Sequence, residues 1–182
     1  HDELSPNLAL AEFGLVDVEA AAGGRPWVAP SSPMVAVSHG AATHIYLNLK
    51  GRDVGGVVDR SEAGELLLRA AKVLADLSSD GRPVVEKVVA RDELAELGLD
   101  HLSSGDLVVF LTPGFTASNR LTGETISPTR YYGQHGFLAR HDGVSGMLFA
   151  RGVGVKNNRV DELPATAVAP LVAQLLGISL DQ

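Results

Sequence analysis

The stretch from Asp59 to Ser78 constrains the fold more than any other. Ala63, Leu66, Leu67, Ala70, Val73, Leu74 and Leu77 recur at helical spacing, and Glu62, Glu65, Arg69, Lys72 and Asp76 take the opposite side. Asp59 with Glu62 three residues on has the form of a capping box. Glu65 and Arg69 have i,i+4 spacing, a pair worth only ~0.2–0.5 kcal/mol. A helix with one apolar stripe is stable only when that stripe lies on another element, so the chain must supply a second layer.

Short strands supply it. Met34 to Ser38 and Thr43 to Leu49 read as a hairpin turning at His39-Gly40-Ala41, with Ile45, Leu47 and Leu49 alternating with His44, Tyr46 and Asn48. Val84 to Ala90 and Asp106 to Leu111 read as two further strands, separated by a short helix from Asp92 to Leu97 that Gly98 stops. Ser5 to Gly14 predicts a helix with Ser5 as cap and Pro6 at its first position. Val16 to Ser32, rich in Gly, Ala and Pro, reads as a connector holding a short strand near Trp27 and Val28. Phe115 to Tyr132 reads as a long polar loop, a length that usually marks function or mobility. Gly146 to Ala150 reads as a strand, and Ala167 to Leu176 as a helix capped by Thr166 and ended by Gly177. The order is that of an α/β or α+β protein.

Composition narrows the chemistry. The chain has 182 residues, 45% of them hydrophobic, enough for one core or two small ones. A net charge of -7 disfavours a nucleic-acid or anionic-membrane partner. The apolar runs are too short and interrupted to span a membrane, which predicts a soluble chain. With no cysteine, disulfides, thiolate metal sites and cysteine nucleophiles are excluded together, while the compartment stays open. His1 to Leu4 spell a retention signal that is read only at a C-terminus, so the match is taken as chance.

Six histidines are the candidates for chemistry, and no two have HxxxH spacing. His135 stands apart in Gly133-Gln134-His135-Gly136, where flanking glycines let the backbone approach a ligand closely; on spacing alone it reads as a turn residue or a metal ligand. His39 reads as a hairpin-turn residue, His44 as the polar face of a strand, and His101 and His141 as turn residues, His141 near enough to His135 to line a site. In the loop before His135, Arg130 and Tyr132 are candidates for substrate contact, since a guanidinium fork matches phosphate oxygens; the alternative is a surface arginine.

Taken in order, several segments resemble one family. Gly40-Ala41-Ala42-Thr43-His44-Ile45-Tyr46-Leu47 resembles its small-residue turn into an Ile-Tyr-Leu strand. Gly105 to Phe110, followed by Pro113-Gly114-Phe115, resembles its Gly-Asp, apolar strand and Pro-Gly-aromatic sequence. Gly133 to Gly136, then Gly146 to Gly152, then Pro170 to Ile178 resemble its closing pattern. The family is the type I phosphodiesterase/nucleotide pyrophosphatase branch of the alkaline phosphatase superfamily, and the resemblance covers most of the chain.

The resemblance implies a hydrolase of phosphodiesters or nucleotide pyrophosphates that works with two divalent metals, usually zinc. It implies that His135 is a metal ligand, with His1 a second ligand near the place of a family histidine, or else a leftover residue. The family's nucleophile and most of its ligands lie upstream of the segments matched here. The expectation is therefore the C-terminal portion of an alkaline-phosphatase-like α/β fold, inactive when isolated. Residues 1–32 would end the core and connect, 33–119 would form a small α+β subdomain, and 120–182 would return to the metal-site core with a terminal strand–helix unit. The missing N-terminal part, or self-association, would cover the apolar surface left open. The alternatives are a phosphomutase or sulfatase branch, or a binding domain of the same fold without catalysis.

Overall fold

A computed structural model describes residues 1–180 as a mixed α and β protein. Contacts divide the chain into one unit, His1–Ser145, and a second that starts at Gly146. The expected subdomain of residues 33–119 and the connector 1–32 both lie inside the first unit.

That unit is built on a four-stranded antiparallel sheet in the order β4 (Met34–His39), β5 (Ala42–Leu47), β9 (Leu107–Leu111), β8 (Val85–Ala90). The expected hairpin is β4–β5, with Gly40 and Ala41 as its two-residue tip. Helix α2 (Ala63–Ala75) lays Ala70 and Leu74 against Met34, Ile45, Leu47, Val109 and Leu111 on one face of the sheet. Every residue of β9 is buried because both faces are covered. Val108 and Phe110 meet Val89, Leu94 and Leu138 on the far side. Leu94 comes from a 3-10 turn, Arg91–Leu97, which ends in left-handed Gly98 as expected.

Helix α1 (Pro6–Ala11) joins this sheet through Asn7, and short ladders complete the unit: β2 (Val18–Glu19) with β3 (Trp27–Val28), and β6 (Ser78–Ser79) with β7 (Arg82–Pro83). A second sheet has β1 (Asp2–Leu4) between β10 (Phe115–Ala117), parallel, and β11 (Ile126–Pro128), antiparallel.

Five expectations are corrected. The 115–132 segment is not one loop: β10 and β11 lie in it, clasping β1, and all three strands are too short to show alternation. Helix α2 is shorter than 59–78. The Asp59 carboxylate is engaged by Lys50 at 2.6 Å instead of capping the helix, although the Asp59 N–H does donate to Glu62 Oε2 at 3.2 Å. Arg69 donates to the Phe13 carbonyl, not to Glu65, and the i,i+4 pair that forms is Lys72–Asp76 at 2.8 Å. Ser5 caps α1 with its backbone carbonyl only; its hydroxyl lies 3.3 Å from that of Ser118.

In the second unit, α3 (Val168–Leu176) ends at left-handed Gly177 as expected, but Thr166 lies in a preceding 3-10 turn and does not cap it. Gly146 to Ala150 is not a strand. A strand exists through its partner, and none pairs with this segment among the described residues; Met147 and Phe149 are almost fully exposed.

Candidate functional site

The β4–β5 tip is held on every side. The Gly40 carbonyl accepts the Ala117 N–H at 2.8 Å, and the Ala41 carbonyl accepts the Leu111 N–H at 2.9 Å. The Ala41 N–H donates to the carbonyl of His135 at 2.8 Å. This last bond docks the glycine-flanked histidine onto the hairpin, across more than ninety positions of sequence.

The glycines explain why the approach is possible. Gly40 has φ +65, and a side chain there would collide with the His135 carbonyl and lie 3.1 Å from its ring. Gly136 has φ +88, with His39 O, Ala42 N and Ala41 N packed 2.9–3.1 Å from where its Cβ would be. Only glycine meets both the left-handed backbone and the close contact. The His135 residue is exposed, and its imidazole has no hydrogen-bond partner among the described residues.

Beside this segment lies a cleft of about 390 Å³, within the range of small-molecule sites. His1, Tyr131, Tyr132, Phe137 and His141 line it, together with the Pro113–Thr116 turn. It takes two of the chain's three tyrosines and no lysine or arginine. His1 Nδ1 is 3.3 Å from the Gly114 carbonyl, and the ring meets Tyr132 edge-on at 5.9 Å. Tyr132 therefore stands in the cleft wall. Arg130 is exposed and is not part of that wall. His135 adjoins the cleft through Gly133 and Gln134 but does not itself line it.

His141 has a role in the geometry that its sequence neighbourhood does not reveal. Its Nε2 is 2.8 Å from Glu86 Oε2, and the Arg140 guanidinium engages the other oxygen of the same carboxylate. Burial alone would raise the Glu86 carboxyl, but these two partners outweigh it and hold it below the usual carboxylate range. His44 and His101 each hold a backbone amide of the fold. His44 Nδ1 accepts the Gly105 N–H at 3.0 Å, and burial together with nearby His39 lowers its pKa. His101 Nδ1 accepts the Ser103 N–H at 3.1 Å within its own turn.

A zinc centre needs three or four nitrogen or oxygen donors on one point. Among the described residues no three His, Asp or Glu side chains converge in that way. His135 has the exposure of a ligand, yet the residues present do not by themselves make up a one-metal or two-metal site, and no step of phosphoryl transfer is assigned to them.

Nor is any helix of the described residues long and apolar enough to cross a membrane. No family model, curated protein or solved structure matches this chain.

Proposed function

We propose that this chain is the C-terminal part of a metal-dependent hydrolase of phosphodiesters or nucleotide pyrophosphates, in which His135 is one ligand of the metal centre. The observation that carries the reading is the docking of His135. Its backbone is fixed to a rigid hairpin tip while its imidazole is left without a partner among the described residues, an arrangement suited to a ligand awaiting a metal. The ordered set of family-like segments, from Gly40 through Gly105 and Gly133 to Ile178, supports the same reading.

A divalent metal pair, zinc in this family, would polarise the phosphoryl oxygens and activate the nucleophile. The nucleophile and the other ligands would come from sequence upstream of the segments present here. The chain's own contribution is to hold His135 and to wall the neighbouring cleft with Tyr132, Tyr131 and Phe137. The reading also gives the exposed Met147, Phe149 and Leu176 of the second unit a partner, either the rest of the protein's core or a second copy of the chain.

The test has two arms. The purified 182-residue chain, dialysed and analysed for metal, should hold far less than one zinc and should not hydrolyse bis(p-nitrophenyl) phosphate. The protein carrying the upstream sequence should hydrolyse it, and His135→Ala should remove metal and turnover together. Two tightly held metals on the chain alone would overturn the reading, as would full activity in His135→Ala. Inactivity of the longer protein with any divalent metal would favour a binding domain.

A further inference from the structure

We propose that Glu86 is a positioning residue for His135, acting through a strap that runs from Gly136 to Ser145. The inference rests on the reading of His135 as a ligand.

The strap has only one 3-10 turn, Asp142–Val144, so its course is set by what grips it. Its upstream end is the His135–Ala41 bond at the hairpin tip. Leu138 anchors its middle, 7% exposed, among Val89, Leu94, Val108 and Phe110. Downstream, Arg140 and His141 close on the Glu86 carboxylate, with Phe137 edge-on to His141 at 6.5 Å. Removing any grip leaves the next one to hold a flexible segment.

Glu86 is placed for this by a break in the ladder. Val85 pairs with Leu111 and Lys87 with Phe110, so Glu86 is the extra residue of a bulge. A bulge re-aims the side chain it carries, and bulges gather beside functional sites. The Glu86 side chain is 12% exposed, yet both of its oxygens are engaged by the strap. A carboxylate serving only the sheet would have no reason to reach two consecutive residues of a segment more than fifty positions away.

The Ala41 amide reports the docking directly, because its hydrogen bond is made to His135. Hydrogen exchange by NMR on the full chain should show Ala41 exchanging roughly tenfold faster in Glu86→Ala, the scale of one charge-assisted bond lost. The Val109 and Leu47 amides should be unchanged. Glu86→Gln, whose single amide oxygen can still accept from one of the two partners, should lie between, and Arg140→Ala should weaken the strap from its own side. A zinc titration read on the His135 imidazole should show several-fold weaker binding in Glu86→Ala.

Equal acceleration of all three amides would reduce Glu86 to a general structural residue and overturn the proposal. Unchanged Ala41 exchange would overturn it whatever zinc does. If zinc never moves the His135 resonances while Ala41 responds, the ligand reading fails, and Glu86 is upheld as the residue that holds His135 in place.

Discussion

Strand β4 is the outer edge of the main sheet, and two asparagines close it. Asn7 accepts the Ala36 N–H through Oδ1 and donates to the Ala36 carbonyl through Nδ2, both at 2.8 Å. Asn119 does the same to Ser38, at 2.8 and 3.1 Å. Each amide imitates a neighbouring strand for one residue. An unpaired edge would otherwise be open to another chain. The consequence differs between them because of burial: Asn7 is 3% exposed and faces an equally buried Ala36, while Asn119 is exposed.

Asn7→Ala strands one buried donor and one buried acceptor. At about 1–3 kcal/mol for each unsatisfied group, the loss is about 2–6 kcal/mol, a large share of a typical domain's ~5–15 kcal/mol. Asn119→Ala should cost about 1 kcal/mol, because the exposed Asn119 side chain leaves a place that water can take beside Ser38, which is itself 6% exposed. Asn7→Asp keeps the acceptor for the Ala36 N–H but turns an oxygen toward the Ala36 carbonyl, so it should be no better than Ala. Urea unfolding of the three variants, with gel filtration to detect edge-to-edge association, measures this. An Asn7→Ala loss below about 1 kcal/mol, or one equal to that of Asn119→Ala, would refute the account of the edge.

Three further outcomes are expected. Gly40→Ala forces a left-handed residue, at about 1–2 kcal/mol, and pushes its Cβ into the His135 carbonyl; Ala41 amide protection should fall while that of Val109 persists, and intact Ala41 protection would count against the docking. Arg52→Ala leaves the buried Asp106 carboxylate, now bonded at 2.6 and 3.0 Å by the guanidinium, with the Leu47 N–H at 2.7 Å as its remaining partner. Breaking such a pair costs ~3–5 kcal/mol when fully buried, and about 2–3 kcal/mol here because Arg52 is partly solvated, read as a shift of the unfolding midpoint. The Glu86 carboxyl is depressed below its ordinary value, so its contribution is full above about pH 4.5 and is lost as the pH falls through its lower folded value. Ala41 exchange corrected for its intrinsic pH dependence should therefore accelerate on acidification below pH ~4.5 in the wild type, and show no such step in Glu86→Gln.

The parts of this fold that were legible are those whose signal is local. The Ala63–Leu77 stripe marked a helix because its period is set by the helix itself, and Gly98 and Gly177 marked stops because a left-handed backbone favours glycine wherever it occurs. Ile45 and Leu47 alternated with His44 and Tyr46 because β5 has one face toward α2 and one away. The strands β1, β10 and β11 were missed for the opposite reason. At three residues each they carry no period, and β1 pairs with segments more than a hundred positions away. The Gly146–Ala150 run shows the limit from the other side: apolar and β-prone residues do not make a strand without a neighbour to bond.

The site divides along the same line. His135 was visible because its support imposes a local demand, glycine on its C-terminal side against the hairpin tip. Glu86 was not visible, because its partners Arg140 and His141 lie fifty-four and fifty-five positions on. Yet one trace of it was in the sequence. In Val84-Val85-Glu86-Lys87-Val88-Val89 the apolar residues come in pairs separated by two charges, a spacing that breaks a period of two and matches one face of a helix, so only the β-branched valines favour a strand here. A plain strand would put Val85 and Val88 on opposite faces. Both pack into the α2 side of the sheet, and they do so because one residue between them is skipped by the ladder. A broken alternation flanked by valines is therefore the sequence form of a bulge, and a charged residue at the break is the one whose side chain the bulge re-aims. That reasoning leads from six residues of sequence to the pair Glu86-Lys87, and the ladder, in which Val85 faces Leu111 and Lys87 faces Phe110, then singles out Glu86.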